Sequence, residues 1–195
     1  MDTLKIPLFP LNTVLFPGGP IPLRIFEPRY LQMVSYCVKN QTPFGVCLIR
    51  EGGEAGEAAN PYEIGTLAHI VDWHSLPDGL LGIVAEGGDR FAVKDKKLDS
   101  NQLITAQVAL IPEDPMIKLP PKYTKLGHLL SEIMNDAGPL YASLKRHFED
   151  AGWVSFRLAE ILPIDNVMKQ YLLELSSPLE RLTQLQSALQ NLYDA

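Results

Sequence analysis

The first distinctive pattern is an apolar run that keeps breaking. From Ile6 to Leu23, "IPLFPLNTVLFPGGPIPL", no side chain is charged, yet Pro7, Pro10, Pro17, Pro20 and Pro22, with Gly18 and Gly19, interrupt it. A membrane-crossing helix needs about 20 apolar residues in one continuous helix. A proline inside a helix removes a hydrogen bond and clashes with the preceding turn, at a cost of roughly 3 kcal/mol. The run is therefore expected to be extended. "LKIPLFPL" and "TVLFP" predict short strands, and "FPGGPIP" supplies a bend at residues able to take positive φ. The strands are expected to cross a β-barrel or strongly curved sheet, with the prolines fixing the curvature.

A helix follows over "EPRYLQMVSYCVKN", with Pro28 at the first helical position, Leu31, Val34 and Val38 on one face, and Asn40 at its end. "PFGVCLIR" predicts a strand. "EGGEAGEAANP" has no aromatic or β-branched residue and is expected to be a mobile loop. "EIGTLAHIVDWHSLPDGLLGIVAEGGDRFAV" predicts strands joined by tight turns, with Pro77-Asp78-Gly79 at a hairpin turn. "QLITAQVALIP" predicts another strand and "EDPMIKLPP" a linker.

After Pro121 the apolar period changes from about two to about 3.6. Leu126, Leu129, Leu130, Ile133 and Met134 form one stripe. Leu140, Leu144 and Phe148 form a second, opened by Pro139 and closed near Gly152. Ser155 is expected to cap a short helix ending by Pro163, and Asp165 another running to Leu175. Ser177-Pro178-Leu179-Glu180 is a capping box, followed by Leu182, Leu185, Leu189 and Leu192. The expected class is α+β: a β-rich region over 1–118 with one helix, then a helical region over 119–195.

Composition narrows the function. The chain has 195 residues, with 23 acidic against 17 basic side chains and a formal charge of −6. Nucleic-acid binders carry basic patches. The one basic cluster, Lys94-Asp95-Lys96-Lys97, contains an acid and is expected to be a solvated loop, so neither nucleic acid nor an anionic membrane is an expected partner. The start, Met1-Asp2-Thr3-Leu4-Lys5, lacks the features of a secretion signal, and a cytoplasmic location is expected. Cys37 and Cys47 are too few for a disulfide scaffold and are expected to be buried thiols.

No phosphate-binding loop, dinucleotide fingerprint, Gly-x-Ser-x-Gly elbow or Cys-x-x-Cys pair occurs. His69, His74, His128 and His147 are scattered, and no cofactor, metal or catalytic set is expected. The densest polar cluster of the opening stretch is Arg24, Glu27, Arg29 and Tyr30, for which an ion pair locking the helix to the sheet is favoured over ligand contact. Leu76 and Leu80 are unusually apolar for a turn, and Trp73 beside them is expected either in the core or with them at an exposed apolar patch.

Three segments in order carry a resemblance. "IPLFPLNTVLFPGGPIPLRIFEPRYLQMV", then "IGTLAHIVDWHSLPDGLLGIVAEGGDRF", then "RLAEILPIDNVMKQYLLELSSPLERLTQL" resemble the Lon protease N-terminal, substrate-binding domain family. The resemblance spans nearly the whole chain. It implies a PUA-like β-barrel followed by a helical bundle. It also implies a stand-alone, non-catalytic module that binds polypeptide substrates or client proteins, as an adaptor or chaperone-like factor working with a protease or ATPase in trans; the candidate polypeptide-binding residues are then Trp73, Leu76 and Leu80 at the hairpin. Neither the nucleotide loop nor the Ser-Lys protease sequence of Lon occurs, so no enzymatic activity is expected. The alternative is a small-ligand binder or enzyme using a pocket between barrel and bundle.

Overall fold

The computed structural model describes residues 3–142 and 144–193, with side chains to residue 191. The chain forms two compact units, Met1–Pro112 and Glu113–Ala195. The first unit holds β1 (Thr3–Leu11), β2 (Pro20–Ile25), α1 (Pro28–Asn40), β3 (Phe44–Glu51), a short β4 (Asn60–Pro61), β5 (Ile64–Ser75), β6 (Leu81–Leu98) and β7 (Ile104–Leu110). They build one mixed, seven-stranded sheet in the order β1-β7-β6-β5-β3-β4, with β2 on β6. β3 pairs with β5 antiparallel and also with β1 parallel, so the pairings return to the first strand.

The uniform apolarity of the opening stretch has a packing reason. From Ile6 to Leu11, β1 is covered on both faces. Ile6 and Leu8 join Cys47, Leu67, Phe91 and Val108 in one core. Phe9 and Leu11 face the other way, into a second core with Tyr30, Met33, Val34 and Phe44. A strand covered on both sides has no polar positions to alternate with.

"TVLFP" is not a strand. Val14, Leu15 and Phe16 are buried in irregular backbone. The Leu15 carbonyl accepts from the Thr66 hydroxyl at 2.6 Å, and Gly18 N–H donates to the Gly87 carbonyl at 2.7 Å. Gly18 takes φ 67°, and a Cβ on Gly87 would lie 2.2 Å from the Phe16 carbonyl oxygen. Side-chain and glycine contacts thus satisfy a segment expected to pair as a strand.

α1 begins at Pro28 as expected, but its buried face is Arg29, Tyr30, Met33, Val34 and Cys37, while Leu31 is exposed. It ends through Gln41 in the left-handed conformation, φ 54°. Lys94 to Lys97 lie within β6 as its exposed end, not in a loop. The acidic loop after β3 is exposed through residue 57, but Glu54 accepts the Asn12 N–H at 2.6 Å and Ala59 is buried.

The second unit carries a 3-10 turn (Pro121–Tyr123) and helices α2 (Thr124–Asp136), α3 (Pro139–Ala142), α4 (Ala151–Ile161), α5 (Asn166–Glu174) and α6 (Pro178–Tyr193). The segment expected as a linker belongs to this unit: Ala151 N–H donates to the Ile117 carbonyl and Leu119 N–H to the Glu149 carbonyl. The helix expected from Pro139 to Gly152 is not continuous: α3 covers Pro139–Ala142, and residues 144–150 are not helical. Beyond it, Phe148 packs edge-on against Trp153, with centroids 5.2 Å apart. Asp150, not Ser155, caps α4, accepting from Trp153 N–H at 3.0 Å. Ser155 is buried inside the helix and donates to the Gly152 carbonyl. Asp165 and Ser177 cap α5 and α6 as their motifs predict. Leu182, Leu185 and Leu189 are buried, and the Leu192 side chain lies outside the described residues.

α4 and α6 meet around a buried arginine. Arg181 is fully buried and donates to the carbonyls of Leu172 (2.9 Å) and Leu175 (2.6 Å), to the Ser155 hydroxyl (2.9 Å) and to Asp114 (2.8 Å). Its guanidinium stacks 3.7 Å from the Phe156 ring centroid.

Candidate functional site

The β5–β6 hairpin has a closely specified turn. Leu76 N–H donates to the Leu80 carbonyl and Gly79 N–H to the Leu76 carbonyl, each at 2.8 Å. The Asp78 carboxylate accepts Leu80 N–H at 3.1 Å, and Gly79 takes φ 82°, which a side chain would resist. Asp78 also pairs with Arg24 of β2, so this arginine braces the turn and stands apart from Glu27 and Arg29.

The hairpin candidates divide by exposure. Trp73 is 58% exposed and Val71 55%, whereas Leu76 and Leu80 are half-buried. Leu76 sits over Gly82: its Cδ2 would lie 3.1 Å from a Cβ placed there. Trp73 borders a hollow of about 330 Å³ lined also by Val38, Gln41, Thr42, His69 and Ile70. Val71 and the α1 side of this hollow escaped the sequence reading. Val71 sits where the β5–β6 register shifts, between the pairs Ile70–Ala85 and Asp72–Val84, and such a bulge has no residue signature here.

The polar cluster is largely internal. Arg29 is buried and pairs with Glu27 at 2.8 Å, donates to the Gln102 carbonyl at 3.1 Å, and lies 4.9 Å from the Tyr30 ring centroid. Tyr30 in turn stacks on Phe9, centroids 3.9 Å apart. Burial raises the Tyr30 hydroxyl above its ordinary pKa, against the pull of Arg29. These contacts tie α1 to β1 and to the β6–β7 turn.

Among the described residues, no group of three or more His, Cys, Asp or Glu is placed to hold a metal ion, and no helix is long and apolar enough to cross a membrane. Both cysteines are buried, and burial pushes the Cys47 thiol up to about 12.

A mixed sheet with one packed helix, followed by a helical unit, defines an α+β protein, and comparison with known proteins places it in a family. The profile of the ATP-dependent protease La (LON) substrate-binding domain matches residues 5–191, so the chain belongs to that family. Lon protease 2 of Herpetosiphon aurantiacus is 32% identical over 196 aligned residues, covering 94% of this chain and 23% of that protein. The Lon protease of Porphyromonas gingivalis is 25% identical, covering 91% of this chain and 22% of its own. The chain thus spans about a fifth of the length of these relatives. A Lon N-terminal domain protein from Xanthomonas campestris superposes with a TM-score of 0.79 at 34% identity, over 94% of this chain and 98% of that one. The N-terminal domain of a Mycobacterium avium complex Lon protease shares the fold, with a TM-score of 0.66 at 16% identity.

Proposed function

We propose that this chain is a non-catalytic module that captures segments of other polypeptides through the apolar surface of the β5–β6 hairpin. The observation that carries this reading is Trp73. It is the larger of two neighbouring apolar side chains left more than half exposed on the hairpin, beside a hollow with room for a partner's side chain. Single exposed apolar residues are ordinary, but a clustered patch rimmed by polar groups marks an interaction site. Family membership supports the same ligand class, since the matched domain is described as substrate-binding.

The scaffold is read as a PUA-like barrel followed by a helical bundle. Five strands close a cycle of pairings, and one core draws side chains from each of them. An adaptor or chaperone-like role, in the cytoplasm and alongside a protease or ATPase acting in trans, follows from the same reading.

The test is equilibrium binding of fluorescein-labelled β-casein, an intrinsically unfolded polypeptide. Burying the exposed part of one large apolar side chain contributes about 1.5–3 kcal/mol. Trp73→Ser should therefore weaken binding by about 10- to 100-fold while the melting temperature stays within about 2 °C, roughly the shift of a sub-kcal surface change. Unchanged affinity in a folded Trp73→Ser protein overturns the proposal.

A further inference from the structure

We infer that the captured segment binds as an added β-strand along the outer edge of β5, between the bulge at Val71 and Ser75; the inference rests on the polypeptide-binding reading above and specifies its mode and ligand class. β6 is flanked on both sides near the hairpin. β2 pairs with it from Pro20–Glu86 to Ile25–Leu81, and β5 from His69–Glu86 to Ser75–Leu81. β3 covers the far edge of β5 only through the pair Phe44–Ala68. It goes no further because Pro43 has no N–H and the chain turns away, with Thr42 N–H donating to the Cys37 carbonyl at 3.1 Å. Among the described residues, no strand pairs with β5 on this side from His69 onward, and the hollow by Trp73 occupies the vacated lane.

The backbone phase fits a ligand. Leu76 N–H bonds to the Leu80 carbonyl, and antiparallel ladders alternate bonded and non-bonded pairs. His74–Gly82 and Asp72–Val84 are then bonded pairs, whereas Trp73–Ile83 and Ser75–Leu81 are not. The N–H and C=O groups of Trp73 and Ser75 therefore point outward. The outward Trp73 N–H is held by its neighbour's carboxylate, Asp72 Oδ1, at 2.8 Å. That contact is a local plug, which a peptide carbonyl can displace.

The two edges of this three-stranded layer contrast. β2 carries Pro20 and Pro22, a device that denies donors to an approaching strand. The β5 edge, "HIVDWHS", has no proline and no lysine. Its charged neighbours include the carboxylates of Asp72, of Glu86 opposite His69 on β6, and of Asp78, the last already paired with Arg24. The expected ligand is consequently an extended, proline-free segment with alternating apolar side chains and a neutral or basic charge. Side-chain pockets and ladder bonds together give such strand addition its affinity and selectivity. A second copy of the chain is a poorer occupant. The regular edge beyond the bulge is short, and a rigid two-fold pairing would have to align two bulged strands.

The test uses a fluorescein-labelled peptide of alternating Val and Thr with Lys at each end, and two isomers N-methylated either on the Val or on the Thr nitrogens. Successive N–H groups of a strand point to opposite edges, so one isomer blocks the β5-facing edge and the other the free edge. The unmodified peptide should bind, one isomer should lose at least tenfold in affinity, and the other should stay within about threefold. Ser75→Pro, which removes an outward donor without touching the β6 ladder, should also lose tenfold, and Asp72→Ala, which frees the Trp73 N–H, should bind the same peptide with uncharged ends more tightly. If Ser75→Pro fails to fold, the isomer pair still decides. Equal binding of both isomers, with Trp73 still required, overturns strand addition and leaves polypeptide capture standing. No binding of the unmodified peptide overturns strand addition alone, and binding of peptide and β-casein that is indifferent to Trp73 overturns both. Light scattering that shows Asp72→Ala dimerising while the peptide does not compete makes a second copy the occupant and overturns the inference.

Discussion

Replacing Arg181 by Met should destabilise the second unit by about 3–5 kcal/mol, the usual cost of removing one partner from a buried ion pair. Methionine keeps most of the apolar stem, so the loss reports on the guanidinium. Arg181 is wholly buried and Asp114 only 8% exposed, so water can replace little of what is removed. The Leu172 and Leu175 carbonyls, 2.9 and 2.6 Å from its nitrogens, lose a donor, and each costs about 1–3 kcal/mol if left unsatisfied. Partial relaxation keeps the sum near the ion-pair figure. In a Trp73→Phe background, Trp153 is the remaining tryptophan and reports on α4, so urea unfolding followed by its fluorescence reads this unit. Asp114→Asn, alone and combined with Arg181→Met, completes a double-mutant cycle in which a coupling of about 1.5–3 kcal/mol is expected for a hydrogen bond between charged groups. A loss below about 1 kcal/mol, within the range of ordinary surface substitutions, would refute the claim that this arginine organises the helices.

Two further outcomes follow from one buried and one half-buried titratable group. With its thiol raised to about 12, Cys47 should have a thiolate fraction near 10⁻⁴ at about pH 8, and iodoacetamide should leave it unmodified in the folded protein while labelling it after unfolding; rapid native labelling would contradict its burial. The Tyr141 hydroxyl donates to Glu160 at 2.8 Å, and burial followed by the Glu160 charge raises its pKa above the ordinary 10.0. Its stabilising contribution is therefore complete below pH 10 and lost as pH rises beyond it. Tyr141→Phe should flatten the alkaline decline in stability. Lys169, lowered by burial, contributes the opposite slope in both proteins and cancels in the comparison. An unchanged alkaline slope would exclude Tyr141 as its source.

The fold was readable where local chemistry and packing agree. The Pro28 start, the Pro77-Asp78-Gly79 turn, and the Asp165 and Ser177 caps each act through bonds within a few residues, and the structure shows them in place. The errors arose where distant partners decide. "TVLFP" has strand composition but gives its Leu15 carbonyl to Thr66. The α1 stripe holds at Val34 and Val38 but not at Leu31, because the buried face turns toward Arg29, which periodicity in apolar residues passes over but which Glu27 and Gln102 satisfy. The second stripe, through Leu144 and Phe148, has helical spacing but no continuous helix, since Phe148 packs on Trp153 from a turn. At the candidate site, the turn chemistry pointed to the hairpin. The bulge that exposes Val71 and the lane left open by β3 depend on strand register, which a single sequence does not encode locally.

The central claim is that polypeptides dock on the β5–β6 hairpin, and site-specific photocrosslinking tests it most directly. A benzophenone amino acid at position 71 on the hairpin is compared with one at position 36 on α1. The native residues there, Val71 and Tyr36, are 55% and 59% exposed, so accessibility alone cannot separate them. On illumination with unfolded β-casein, position 71 should give crosslinked adducts at least tenfold above position 36, and excess unlabelled β-casein should suppress them. Equal yields at the two positions, or adducts at position 71 that competitor does not reduce, would contradict the account.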